Sequence, residues 1–245
     1  FRSPFALTGL AADTRYYVRA TVVCDEGSTT LGSGTTLQTK PYGCLRFSTD
    51  TETTAIGDGN STNNYLWGYS YYRYSLSQQI YRQGEMGGAK MIHGMAIRAG
   101  IARNSRNISI YLAHTDQESV DNWLTPEDLT LVWSGTARYA ASVWNDIVFS
   151  TPFYYNGTDN LLLVIVDNTG SYNSSPYNST YVHSNTGYSS RYAYNDNTAY
   201  DPTRPPSGGS SISYRNNVRW YHRACEVNDE CYNQQDCQHN KLKLF

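Results

Sequence analysis

Charge is what this sequence has least of: Asp, Glu, Lys and Arg make up 16% of its 245 residues, against about a quarter in a typical globular chain. Runs of the strong helix formers Ala, Glu, Lys and Leu are missing too, so helix is expected to be scarce. No long apolar run occurs either. The longest, Leu161 to Val166, falls far short of the roughly 18 residues a spanning helix needs, and no membrane insertion is expected. The 19 Lys and Arg and the 21 Asp and Glu nearly cancel, to a net charge of −2. The basic residues are scattered rather than set in a stripe, which argues against nucleic acid as a partner. There is no Gly-x-Ser-x-Gly elbow, His-Glu-x-x-His helix, P-loop or dinucleotide fingerprint, and a non-catalytic role is expected. The sequence opens on Phe1 with no basic segment leading into an apolar stretch. Any export signal is therefore expected to have been removed or to lie outside this sequence.

What fills the space left by charge is aromatic and small polar: 23 Tyr and 5 Trp among abundant Ser, Thr, Asn and Gly. Aromatic and β-branched side chains suit a pleated, half-buried surface, and Asn and Gly suit tight turns, so an all-β fold is expected. Strands are predicted over Lys90–Arg98, Asn107–Ala113, Leu129–Ser134, Val143–Ser150, Leu161–Asp167, Arg191–Tyr194 and Val218–Tyr221. Apolar residues alternate in Asn107–Ala113, which marks one buried and one wet face. They do not alternate in Leu161–Val166, which predicts a central strand covered on both sides. Asn156-Gly157 reads as a turn, and residues 168 to 190 as a long surface excursion ordered by tyrosine packing. No internal repeat is visible.

Three regions are expected. Residues 1–41 hold an alternating strand from Thr14 to Val22, with a partner at Gly34–Thr39 reached through a Gly- and Ser-rich loop. The Leu10, Thr14, Tyr16 spacing resembles the tyrosine corner of a fibronectin type III domain, with Ala12 where that family usually has Pro. Only its last two strands would be present, and an isolated hairpin is marginal in water, so the chain is expected to belong to a larger protein with further domains. Lys40-Pro41-Tyr42-Gly43 reads as a linker. The main module is expected over 45–222, and a Cys-rich tail over 223–245.

Within the main module, the motifs Tyr74–Tyr81 with Gly84-Glu-Met-Gly87, Ile108–Thr115, Pro152–Leu161 and Val166–Tyr172 together resemble a module of secreted Bacteroidetes proteins. It is similar to the cleaved-adhesin modules attached to surface cysteine proteases of the gingipain type. The resemblance implies a jelly-roll β-sandwich used for adhesion or ligand capture at the cell surface or outside the cell. It implies no reaction. Structural calcium occurs in some such modules, and the candidates here are Asp58, Asn60 and Asp167, with Asp50 and Glu52 nearby.

The aromatic run Tyr65, Trp67, Tyr69, Tyr71, Tyr72, Tyr74 has two readings. As a binding surface, Trp67, Tyr69, Tyr71 and Tyr72 would offer flat faces to a glycan or a host surface protein, with the tyrosines of 172–200 extending it. As a plain strand, the alternation of Trp67, Tyr69 and Tyr71 would bury one face. His114, Asp116 and Glu118 would share one side if their strand continues, either as metal ligands or as a polar strand end. Asp167 opens an Asx-turn that would expose its carboxylate at the sandwich edge, as a turn cap or a ligand. Glu85, Glu118, Asp146 and Asp167 are the carboxylates available for glycoside cleavage. Cys24, Cys44, Cys225, Cys231 and Cys237 are an odd number, read as disulfides with one left over; a Cys24–Cys44 pair would flank the linker. A zinc knot with His222 and His239 is the alternative. The functions in view are an adhesion or recognition module, a carbohydrate-binding accessory of a polysaccharide-degrading enzyme or protease, and a structural or filament subunit.

Overall fold

A computed structural model describes the backbone of residues 15–24, 27–38 and 46–226, and side chains between 48 and 225. The strands are, in chain order, β1 (Arg15–Cys24), β2 (Gly27–Gln38), β3 (Arg46–Phe47), β4 (Glu52–Ile56), β5 (Ser61–Asn63), β6 (Tyr74–Tyr81), β7 (Lys90–Arg98), β8 (Arg106–Thr115), β9 (Thr130–Ala137), β10 (Trp144–Tyr155), β11 (Asn160–Asp167), β12 (Thr180–Ser184), β13 (Ser190–Asn195), β14 (Ser210–Ile212), β15 (Tyr214–Asn216) and β16 (Val218–Glu226). Helix is confined, among the described residues, to the single turn α1 (Gln83–Met86). No helix among them is long and apolar enough to cross a membrane.

Two compact units make up the chain, one of them Ser48–Ala224. The other contains the antiparallel hairpin β1–β2 and the short pairing of β3 with the end of β16. In the hairpin Cys24 stands opposite Gly27, so the Gly- and Ser-rich segment expected to be a loop is strand instead. Its Thr29, Thr30 and Leu31 have the β-branched and apolar character a strand selects, and they pair with Val22, Thr21 and Ala20.

In the larger unit, one sheet runs β10-β7-β16-β4 and the other β14-β13-β6-β11-β8-β9, with every pairing antiparallel. The chain crosses between the sheets from β6 to β7 to β8 and from β9 to β10 to β11. Strands β4, β16, β7 and β10 facing β6, β11, β8 and β9 give the eight-strand order of two Greek keys. The unit is thus an all-β sandwich with jelly-roll connectivity, with β13 and β14 added at one edge. A small sheet, β15-β12-β5, stands beside it.

The two sheets close on Ile92, Met95, Ile97, Ile110, Leu112, Leu163, Ile165, Val218 and Trp220, all essentially inaccessible. A second cluster on the far face of the six-stranded sheet takes Leu76, Ile80, Val120, Leu162, Val164 and Val166, under Trp123 and Leu124. Strand β11 feeds both: its odd residues point between the sheets and its even ones outward. All eight of its residues are buried, which is why its sequence shows no alternation.

Candidate functional site

Between β5 and β6 the chain does not extend as a strand. Gly68 has φ +79°, and a Cβ there would lie 2.8 Å from Asp167 Oδ2; only glycine permits both the left-handed backbone and the approach. The Tyr72 amide then donates to the Tyr69 carbonyl at 2.9 Å, closing a turn. These bends break the alternation that a strand would have imposed and turn Trp67 and the tyrosines to different sides.

Trp67 goes inward. It is 4% exposed, belongs to the core between the sheets, and donates its indole N–H to the Tyr139 hydroxyl at 2.7 Å. An indole enclosed in this way has no face to offer, and the expectation that Trp67 belongs to a ligand surface is corrected accordingly.

The tyrosines gather outward, from three separate segments. Tyr192 and Tyr194, two apart on β13, share a face of that strand. Tyr65 stacks on Tyr192 with centroids 4.5 Å apart, and Tyr72 stacks on Tyr194 at 4.1 Å. Tyr69 meets Tyr65, Tyr72 and Tyr194 at 4.9, 5.3 and 5.3 Å. Tyr177, from the loop before β12, closes edge-on against Tyr71 at 5.0 Å and Tyr69 at 6.1 Å. Seven rings therefore form one continuous patch, of which Tyr71 and Tyr194 are the most open, at 45% and 39%. Tyr69, Tyr71 and Tyr72 were expected here, whereas Tyr177, Tyr192 and Tyr194 were visible only as part of a tyrosine-rich stretch. Burial and the neighbouring phenols push the Tyr69 hydroxyl up to about 12, so this hydroxyl stays neutral at physiological pH.

The patch is held from beneath by a buried ion pair. Arg106 Nε donates to Asp167 Oδ2 at 2.6 Å, Nη2 to the Tyr72 carbonyl at 2.8 Å, and Nη1 to the Ser171 carbonyl at 2.6 Å. The Thr169 amide and hydroxyl donate to Asp167 Oδ1 at 3.0 and 2.5 Å. The Asx-turn is present, yet its carboxylate is wholly buried rather than exposed at the edge, because Arg106 draws it inward. Further hydrogen bonds tie the two loops together, from the Asn173 amide to the Ser70 carbonyl at 2.8 Å and from the Gly170 amide to the Arg73 carbonyl at 3.1 Å.

The remaining candidates are spread over the unit. Asp58 and Asn60 are exposed between β4 and β5, while both oxygens of Asp167 are engaged as above. Among the described residues no three His, Cys, Asp or Glu side chains group closely enough to hold a metal ion. His114, Asp116 and Glu118 do not converge. The Asn156 amide donates to His114 Nε2 at 3.1 Å, which leaves Nδ1 with the ring proton and donating to Asp128 Oδ2 at 2.6 Å. Burial pushes the Asp128 carboxyl up, but the His114 hydrogen bonds outweigh it and hold it below the usual range. Glu118 pairs with Arg82 at 3.3 Å, Glu85 pairs with the buried Arg215, and Asp146 accepts from the Tyr221 hydroxyl at 2.6 Å. A cleft of about 450 Å³ is lined by His114, Asp116, Leu124, Glu127, Asp128 and Asp159 among others, and shares no residue with the tyrosine patch. Of the cysteines, Cys225 stands half-buried near the end of β16. The side chains of Cys24 and Cys44, and the segment with Cys231, Cys237 and His239, lie outside the described residues.

No family model and no curated protein matches the sequence, so the resemblance to cleaved-adhesin modules gains no support from relatives. Among solved structures the chain is similar to the cysteine protease and lectin-like domains of Cwp84, a surface layer associated protein of Clostridium difficile, at 8% identity and a TM-score of 0.37. The match covers 77% of this chain and 37% of that one, so the chain spans well under half the length of that protein. A likeness this distant carries no information on activity or ligand.

Proposed function

We propose that the chain is a non-catalytic, extracellular recognition module that binds glycans through the tyrosine patch. The observation that carries this reading is the union of seven tyrosine rings from three segments, Tyr65–Tyr72, Tyr177 and Tyr192–Tyr194, at the rim of the sandwich instead of in its core. Sugars present C–H faces that lie on aromatic rings and hydroxyls that pair with phenols, so such a patch offers both kinds of contact. Tyrosine supplies this contact area with little rotamer entropy to lose, and here each ring is already held by its neighbours. A surface adhesin and an accessory module of a larger secreted protein would use the patch in the same way.

A glycan array probed with the wild-type chain and with the double variant Tyr71→Ala, Tyr194→Ala tests the reading. Binding by the wild type and its loss in a variant that melts normally is the expected result. Wild-type binding that survives the double substitution would move the site elsewhere, and a blank array with folded protein would end the proposal. Disulfides involving Cys225 and the other cysteines are part of the extracellular reading. A rise in intact mass on reduction and thiol alkylation supports them, and full alkylation without reductant removes them.

A further inference from the structure

Resting on that reading, we infer that the patch engages a neutral polysaccharide along the interior of its chain, not at a chain end. Three features point this way.

The first is shape. Recognition of a terminal sugar calls for a recess that encloses it, and the cleft of about 450 Å³ is built from other residues, around His114 and Asp128. The tyrosine rings cannot fold over a ligand to make such a recess, because they are fixed against one another. Tyr72 is covered by Tyr194 at 4.1 Å and abutted by Tyr71 at 4.8 Å, and its backbone carbonyl is held by Arg106. A ligand is therefore laid across the rings, and its ends are free to continue past them.

The second is extent. The rings continue from Tyr192 and Tyr65, through Tyr69, Tyr194 and Tyr72, to Tyr71 and Tyr177, with neighbouring centroids 4.1–6.5 Å apart. That is longer than one sugar ring. Each ring-to-sugar contact is weak alone, and the total grows with the number of sugars that cover the patch.

The third is charge. Arg73 and Asp196 stand beside the patch and engage each other's segment: the Arg73 amide donates to Asp196 Oδ1 at 3.1 Å, and Arg73 Nη1 to the Asp196 carbonyl at 3.5 Å. Arg73 also lies 5.7 Å from the Tyr172 ring. This pair of opposite charges offsets itself and gives no net attraction for a uronate or sulfated polymer.

Affinity electrophoresis of the full chain through gels containing hydroxyethyl cellulose, xylan, galactomannan, polygalacturonate or alginate, at low and at high salt, reads the polymer class. Titration calorimetry with the dimer, tetramer and hexamer of whichever polymer retards the protein reads the length. Retardation by a neutral polymer, unchanged by salt, with affinity rising about tenfold or more from dimer to hexamer, is expected. Tyr71→Phe should keep it and Tyr71→Ala should weaken it. A dimer bound as tightly as the hexamer would overturn the chain-interior inference while leaving glycan binding intact. Salt-sensitive retardation by polygalacturonate or alginate alone would overturn its neutral part. No retardation in any gel would sink this inference, whereas the glycan reading would fall only if the array were blank as well.

Discussion

Truncating Trp67 to Ala removes an indole from an enclosed site and leaves the Tyr139 hydroxyl without the donor it now accepts from. Loss of large buried aromatics costs about 3–5 kcal/mol, so a clear fall in the urea midpoint is expected. Tyr71→Ala, at 45% exposure, should leave the unfolding free energy within about 0.5 kcal/mol of wild type and change only binding. If Trp67→Ala melts normally, the inward placement of the indole is wrong. A second test at this scale concerns protons. Burial, with the Lys90 ammonium and His93 adding to it, lowers the His222 imidazole from 6.5 to about 4. Between those values the unfolded state binds the proton and the folded state resists it. The stabilisation from His222 is therefore complete above about pH 6.5 and is lost as pH falls towards 4. Urea midpoints taken across that window should drop more steeply for the wild type than for His222→Gln; parallel curves would show that this ring does not set the slope.

At the scale of elements, β11 is the sharpest case. Leu163 lies between the sheets and Val164 on the opposite face, each fully buried, so Leu163→Ala should cost about 2–5 kcal/mol, read by chemical denaturation. A loss below about 1 kcal/mol would mean the strand is not packed on its inner face. This strand was legible because six apolar residues in a row leave few other solutions. Lys90–Arg98 likewise appears as β7 with the predicted bounds. Strand β6 does not declare itself by its own pattern, since its inner face carries Ser75, Ser77 and Gln79 where alternation alone would ask for apolar groups. Those side chains are satisfied across the fold, Ser77 by the Leu66 carbonyl at 2.7 Å and Gln79 by Asn216 Oδ1 at 3.0 Å, partners that spacing along the chain does not reveal. The tyrosine patch was half legible for the same reason. Tyr69, Tyr71 and Tyr72 are neighbours in sequence, whereas Tyr192 and Tyr194 join them through the pairing of β13 with β6, and Tyr177 through the hydrogen bond of the Asn178 amide to the Ser70 hydroxyl at 3.0 Å. Nothing in the residues around Gly68 announced that Trp67 would turn the other way, because that turn depends on a close approach to Asp167 on a distant strand.

Across the larger unit, protection should follow strand position. Backbone amides of β11, flanked by β6 and β8 and covered on both faces, are expected to exchange with solvent only on global opening, while the three-residue edge strands β5 and β14 exchange early. Hydrogen exchange followed by mass spectrometry reads this order, and early labelling of β11 would contradict the sheet order. The last strand of the sandwich, β16, does not lie at an edge: it is inserted between β4 and β7. Until it arrives, β4 has no strand partner among the described residues and one flank of β7 is bare. A ribosome or an export channel that delivers the chain from its amino end therefore releases an unfinished sheet, and the sandwich cannot close until β16 has emerged.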